Sequence, residues 1–335
     1  MNIFLTGGTG FIGQHLTRAL TDIGHNVTIA TRNTGKHPRY VLPPIDDNQE
    51  PFVGKTGGTE VGKSGKKQRA AHVRYVPLQD DLTPYLSGCD VVINLAGESL
   101  AGKRWTTGVK KRLYESRIDT TRSLVSSMKQ LDIKPELFLS ASAVGYYGDC
   151  GDEIVTEKRG AGDDFLAGLC RDWEEASSEA KSLGLRVVNP RIGVVLAADG
   201  GALAAMLPVF KAFIGGALGS GSQYFPWIHM DDLCRSMIHA IQTTELHGPY
   251  NATAPEPVTM STFTEVLGDV LSKPSFFRVP EFALNMALGE AAAMVTTSLR
   301  VVPEKIRRQG FLFKFTDVRE ALVDVLIDNR QPETR

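Results

Sequence analysis

Cysteine is scarce in this chain, and the four present (Cys89, Cys150, Cys170 and Cys234) are scattered without a CxxC pair or a zinc spacing. That pattern fits reduced thiols rather than a disulfide framework or a cysteine-built metal site. Excess charge is missing as well: 37 Lys and Arg stand against 38 Asp and Glu, a formal net charge of −1. Such a balance provides no footprint for nucleic acid and no long-range attraction to an acidic membrane. Every long apolar run is broken by polar residues or glycine well short of the ~20 residues that a spanning helix needs. The first strand is expected from residue 2, so no cleavable leader is expected, and the cytoplasm is the expected compartment. What remains is an ordinary globular composition over 335 residues, enough for two unequal domains.

The richest local pattern is at the start. Asn2 to Leu5 reads as a short buried strand, and Gly7-x-x-Gly10-x-x-Gly13 follows without a gap. From Gln14 the apolar residues Leu16, Leu20 and Ile23 fall on one helical face until Gly24 stops the helix. Strand, glycine turn and helix in that order are the context in which this motif binds a dinucleotide. Gly7 serves the tight turn, Gly10 lets a pyrophosphate approach the backbone, and Gly13 lets helix pack on strand. The first helical residues, Phe11 and Ile12, present free N–H groups at the positive end of the helix. The second strand, Val27 to Arg32, ends in Thr31 and Arg32 where an NAD site usually carries a carboxylate. An arginine there accommodates the 2′-phosphate, so NADP is the expected cofactor.

After Arg32 the apolar period disappears. Residues 36–71 are polar and rich in Gly, Pro and Lys, as expected of a flexible surface insertion. Within it, Gly57 to Ser64 matches the P-loop expression but lacks the buried strand before and the helix after that a phosphate-gripping loop requires. Order returns with strands expected at Val73–Leu78, Asp90–Gly97, Leu137–Ser142 and Arg186–Leu196. Helices are expected between them, at Val109–Lys129 and Asp164–Leu183. This alternation predicts an α/β fold, a doubly wound parallel sheet of Rossmann type. Ligands then collect beyond the carboxyl ends of the strands. That rim comprises Gly7–Gly13, Arg32, Leu95–Glu98, Ser140–Tyr147 and Pro190–Val195.

Past Leu196 the texture changes. Gly200-Gly201 and Gly215–Gly221 read as turns, and Phe225–Met230 as a strand with Asp231 capping a helix to Gln242. Short helices are expected at Ser261–Leu271, Pro280–Ala293, Pro303–Gln309 and Asp317–Ile327. The expected division is a cofactor domain at 1–195, to which 225–250 returns, and a smaller, mostly helical, substrate-side domain at 196–335.

With these residues in hand the chain resembles the extended short-chain dehydrogenase/reductase superfamily. Thr6 to Gly13, Asn94-Leu-Ala-Gly97 and the strand end Ser140-Ala-Ser142 look like its landmarks. More narrowly it resembles the atypical group of sugar-nucleotide epimerase family proteins, which carry a small C-terminal domain of unknown function. That likeness rests on Glu98, Arg104-Trp105, Ser116-Arg117, Val144–Tyr147, Arg191–Leu196, Gly219–Gly221, Trp227–His229, Val302–Glu304 and Gly310-Phe311. It covers nearly the whole chain apart from the 36–71 insertion. The resemblance places Arg117 at the cofactor, and the strand-end rim adds Leu95, Ala96, Gly97, Ser140, Arg191 and Val195 to the expected cofactor contacts Gly7, Gly10, Phe11, Ile12, Gly13, Thr31 and Arg32.

One superfamily feature is absent. Short-chain dehydrogenases exchange a proton through a tyrosine with a lysine four residues later, and none of the eight tyrosines here has that lysine. Ser142, Tyr146 and Tyr147 are the remaining catalytic candidates, with Lys103, Lys110 or an arginine as the cation beside a phenol. The basic run of Arg104, Lys110, Lys111 and Arg112 reads as helix surface or substrate-phosphate groups. His229 with Asp231 and Asp232 reads as a cap and core contact rather than a metal set. Two function classes stay open. One is an NADP(H)-dependent oxidoreductase or epimerase-like enzyme for a small polar, sugar- or nucleotide-linked substrate; the other is an NADP(H)-binding regulatory protein without catalysis.

Overall fold

The computed structural model describes residues 1–32, 34, 71–79 and 81–328. Nearly all of the 36–71 insertion, including its P-loop-like segment, lies outside the described residues. The first half runs β1 (Asn2–Thr6), α1 (Phe11–Asp22), β2 (Asn26–Thr31), β3 (Val73–Pro77), α2 (Thr83–Leu86) and β4 (Val91–Asn94). There follow α3 (Thr107–Gln130), β5 (Leu137–Ser140), β6 (Ser142–Ala143), β7 (Ile154–Val155), α4 (Phe165–Ser178) and β8 (Arg186–Ile192). The main sheet has the order β13-β8-β5-β4-β1-β2-β3, where β13 spans Gly248–Ala252, and β6 adds to β8. Its pairings are parallel throughout.

Alternation along the strands explains the layers. Ile3, Leu5, Val91, Ile93, Leu137 and Leu139 point to one face, where Leu16 and Leu20 of α1 cover them. Phe4, Val92, Phe138 and Val187 point to the other, against Leu86, Leu124 and Met128. Both faces are apolar because helices cover both, as buried parallel strands require. The strand order reverses between β1 and β4, and at such a switch point the flanking loops part to leave a crevice.

Several boundaries differ from the sequence-based expectation. The stretch read as one strand to Leu196 breaks at Gly193, whose N–H turns to the Ala252 carbonyl at 3.0 Å. Beyond it β9 (Val194–Leu196) leaves the main sheet to pair with a later strand. A helix absent from the sequence reading, α5 (Gly201–Lys211), follows, with Pro208 inside it. The glycines flanking it and the proline within it hid a short apolar helix that tertiary packing holds, with Leu203 and Phe210 buried. After β10 (Gly216–Leu218) and β11 (Tyr224–Phe225), β12 (Trp227–His229) pairs with β9 and leads into α6 (Met230–Gln242).

The cap of α6 is His229 rather than Asp231: its Nδ1 accepts from the Asp231 N–H at 3.1 Å. Asp232 is buried and accepts from the Lys314 and Phe315 amides and from Arg235. α6 packs beside α1 through Leu233 and Met237, and β13 then extends the main sheet.

The C-terminal part comprises β14 (Val258–Thr259), α7 (Met260–Leu271), β15 (Phe277–Val279), α8 (Glu281–Leu288), α9 (Ala293–Thr296), β16 (Arg300–Val301), α10 (Glu304–Arg308) and α11 (Val318–Val323). The single helix expected over Pro280–Ala293 is interrupted at Gly289, where a 3₁₀ turn begins. One core joins this part to α5 and β12: Phe210 and Trp227 pack with Phe263, Phe315 and Leu322. No helix of the described residues is long and apolar enough to cross a membrane.

Candidate active site

At the switch point a cleft of about 730 Å³ is lined by Gly7, Thr9, Gly10, Gln14, Ala30 to Arg32, Tyr75, Leu78, Leu95 to Glu98, Ser116 and Thr120. Its floor is the β1–α1 turn. Gly7 has φ +74°, and a Cβ on it would stand 2.4 Å from the Leu95 carbonyl oxygen. A Cβ on Gly13 would stand 2.1 Å from the Gly7 carbonyl oxygen. These two positions exclude side chains, so α1 seats tightly under the turn. Inside α1 the first bond runs from the Gln14 N–H to Gly10 at 3.0 Å, and no side chain caps the helix. The N–H groups of Phe11, Ile12 and Gly13 therefore have no intrahelical acceptor. Such a turn, with its positive helix end, fits a diphosphate.

The opposite wall follows β4. Asn94 organises it from the core: it accepts from Thr6 at 2.7 Å and from the Ala96 N–H at 3.2 Å. The same side chain donates to Thr121 and Ser140 at 2.8 and 3.2 Å. Arg117 lies behind this wall, buried, donating to the carbonyls of Leu113 and Glu98 at 3.2 and 3.0 Å. A Cβ on Gly97 would meet its guanidinium carbon at 3.0 Å, so the backbone passes close over Arg117. Arg32 stands exposed at the cleft's other end, next to Thr31.

The candidates beyond β5 form a different structure. Ser142, only 2% exposed, donates its hydroxyl to Glu174 of α4 at 2.6 Å. Glu174 also receives both sides of the Arg191 guanidinium, each at 2.8 Å. Arg191 donates in turn to the Tyr147 hydroxyl at 2.9 Å, and that hydroxyl donates to Asn251 at 2.6 Å. Burial pushes the Tyr147 phenol up to about 12 although Arg191 pulls the other way. Tyr146 is the exception. It is half-buried, its hydroxyl has no hydrogen-bond partner among the described residues, and the Arg191 guanidinium lies 3.5 Å from its ring centre.

The NAD dependent epimerase/dehydratase family model matches residues 3–252. The chain belongs to this family. A second model, a domain of unknown function (DUF1731), matches residues 279–325. Among similar proteins, the epimerase family protein SDR39U1 homolog, chloroplastic, of Arabidopsis thaliana is 36% identical over 96% of this chain and 86% of its own length. Epimerase family protein YfhF of Bacillus subtilis is 34% identical over 98% of this chain and 99% of its own. The crystal structure of human epimerase family protein SDR39U1 (isoform2) with NADPH superposes with a TM-score of 0.80. It has 29% identity, over 97% of this chain and 99% of that one.

Within this epimerase-family fold the expected site residues separate into three groups. Gly7, Gly10, Thr31, Arg32, Leu95, Ala96 and Gly97 line the cleft. Phe11, Ile12 and Gly13 begin the helix beneath it, with the Phe11 ring against Gly200 and Gly201. Arg117, Ser140, Arg191 and Val195 are buried behind the rim: Ser140 accepts from Asn94, and Val195 packs in the main core opposite Ile228. Thr9 and Glu98, within the expected rim, also line the cleft; the structure adds Gln14, Tyr75, Leu78, Ser116 and Thr120 to it, and Glu174 to the polar cluster. Ser116 and Thr120, four apart, carried a readable helical spacing. Glu174 carried none, because one carboxylate among several on a helix does not announce its partner.

Proposed function

We propose that this chain is an NADP(H)-dependent oxidoreductase or epimerase-like enzyme acting on a small polar, sugar- or nucleotide-linked substrate. The observation that carries this reading is Tyr146, which lies outside the cleft lining but follows a strand end on the same rim of the sheet. That unpartnered phenol follows β5, the strand next to β4, and stacks under a fixed Arg191. The glycine turn would hold the diphosphate, Arg32 the 2′-phosphate, and Thr31 with Leu95 to Gly97 the walls. NADP(H), when bound, supplies or accepts a hydride at its nicotinamide. Tyr146 then returns a proton to the substrate oxygen or removes one from it. Arg191 keeps positive charge beside that phenol, and Glu174 stops the guanidinium from swinging away. Ser142 has committed its only proton to Glu174, and Tyr147 is held by Arg191 and Asn251, so both act as frame. Residues 1–195 with 225–250 form the cofactor half in this reading, and 196–335 the substrate side, which limits access of water.

A second reading, an NADP(H)-binding regulatory protein, is favoured by the burial of Ser142 and Tyr147 and by the missing Tyr-x-x-x-Lys. The two readings part in one experiment. Wild type and Tyr146→Phe are incubated with NADPH or NADP⁺ and a panel of nucleotide sugars, following 340 nm absorbance and sugar isomer composition. Turnover that falls at least ~100-fold in the variant, with unchanged NADPH affinity by calorimetry, supports the enzyme. Turnover that survives in Tyr146→Phe removes Tyr146 from the chemistry. No turnover across the panel leaves the regulatory reading.

A further inference from the structure

A second cavity, about 390 Å³ in volume, opens where the loop after β4 meets the C-terminal segment, lined by Arg104, Trp105, Thr106, Gly289 and Glu290. Its polar groups are nearly all committed. The Trp105 N–H donates to the Leu100 carbonyl at 3.1 Å, and the Thr106 hydroxyl accepts from Val109 as the cap of α3. Glu290 pairs with Lys110, which lies over the Phe165 ring. The neighbouring cations turn elsewhere, Lys103 and Arg112 both to Glu98 at 2.7 and 3.3 Å. Arg104 alone of the lining has an exposed guanidinium without a carboxylate partner among the described residues. It stands against Gly289, where a Cβ would lie 3.3 Å from its Nε.

The indole beside it is fixed. Trp105 is 6% exposed and packs edge-on to Phe165 with ring centres 5.5 Å apart. The same apolar cluster contains Ala141, next to Ser142, and Leu95 of the cofactor cleft. Through Trp105 the cavity is tied to the apolar cluster that reaches the β4 and β5 ends, and it has one wall from each part of the chain.

We infer that this cavity receives an oxyanionic group of the substrate, a phosphate or carboxylate, with Arg104 as its counter-ion; the word substrate rests on the enzymatic reading above. A guanidinium matches such a group with two parallel hydrogen bonds, which a neutral hydroxyl cannot use as well. Glu290 does not repel it, because Lys110 neutralises that carboxylate. A rigid indole floor orients a sugar ring attached to the anion, so Arg104 selects charged over neutral substrates.

Trp105 makes the test direct. Protein saturated with NADP⁺, so that the cofactor's own phosphate sites are filled, is titrated at constant ionic strength with inorganic phosphate, glucose 6-phosphate, glucuronate and neutral glucose. Tryptophan emission and calorimetric heat are followed together. The expected result is saturable binding of glucose 6-phosphate or glucuronate, at least tenfold weaker in Arg104→Ala and partly restored in Arg104→Lys. Trp105→Phe should lose most of the emission change while heat remains. Equal binding in Arg104→Ala, binding of glucose as tight as of the anions, or no saturable anion binding overturns the inference. NADP⁺ titration of the same samples keeps the two readings apart: intact NADP⁺ binding without anion binding fails only the anion site.

Discussion

Around the β1–α1 turn the polar groups are backbone amides without intrahelical acceptors, facing a cleft of about 730 Å³. Around β8 and α4 the polar groups are side chains that have consumed one another: Ser142, Glu174, Arg191, Tyr147 and Asn251 form one chain of bonds between 2.6 and 2.9 Å. The difference shows two ways of building a rim. Backbone amides at a helix start cannot satisfy themselves, so they remain available to a ligand. Buried charged side chains must be satisfied within the protein, because an unpaired one costs several kcal/mol. A binding surface is therefore left where the fold supplies no partner, and a frame forms where it supplies all of them.

The hardest test of that contrast removes one member of the frame. Glu174→Ala should leave the guanidinium of Arg191, 3% exposed, without its carboxylate and lower stability by roughly 3–5 kcal/mol in urea unfolding. NADPH affinity of the protein that remains folded should change little. A loss below about 1 kcal/mol would mean that the network is decorative. Next in size is the cradle. Gly13→Ala puts a methyl 2.1 Å from a carbonyl oxygen and should cost about 1–3 kcal/mol with a large loss of NADPH binding. Unchanged affinity would show that the turn is not the cofactor floor.

A smaller effect sharpens the ligand side. Arg32→Ala should weaken NADPH by about tenfold, in line with the loss of one charge-assisted hydrogen bond, and leave NADH unchanged. Equal weakening of both, or tighter NADH binding by the wild type, would remove Arg32 from cofactor choice.

The smallest effect lies at alkaline pH. Burial raises Tyr147 to about 12 and raises Tyr250 as well, whereas an unfolded phenol ionises near pH ~10. The folded state thus holds protons that the unfolded state releases, so stability is intact below about pH 10 and falls as pH rises towards 12. Absorbance at 295 nm should show two phenols that ionise only as circular dichroism is lost. A single ordinary midpoint for all tyrosines, with the fold intact, would contradict the closed frame.

Much of the architecture was legible in the chain. The short, unbroken apolar runs of β1, β4 and β5 are a local property of neighbouring residues, and the glycine spacing after β1 follows from steric demands within a dozen positions. Local pattern failed at Gly193, where one apolar run divides between two sheets, and at α5, where glycine and proline concealed a helix. It also placed the α6 cap two residues late, since histidine is a less familiar cap than aspartate.

From sequence alone came the Rossmann-type sheet, the glycine turn after β1, Arg32 just past the end of β2 and the absence of the usual tyrosine–lysine pair. Those depend on short-range spacing and residue type, which a linear chain displays openly. Only the tertiary structure decided which polar groups are free. Arg117 and Arg191 look like Arg32 and Arg104 in sequence, yet the first two are buried donors and the last two are exposed. The partner of Tyr147 lies 104 residues away and that of Arg191 lies 17 away on another element. Whether a charge is spent or available is set by what the fold brings beside it, and no local period encodes that.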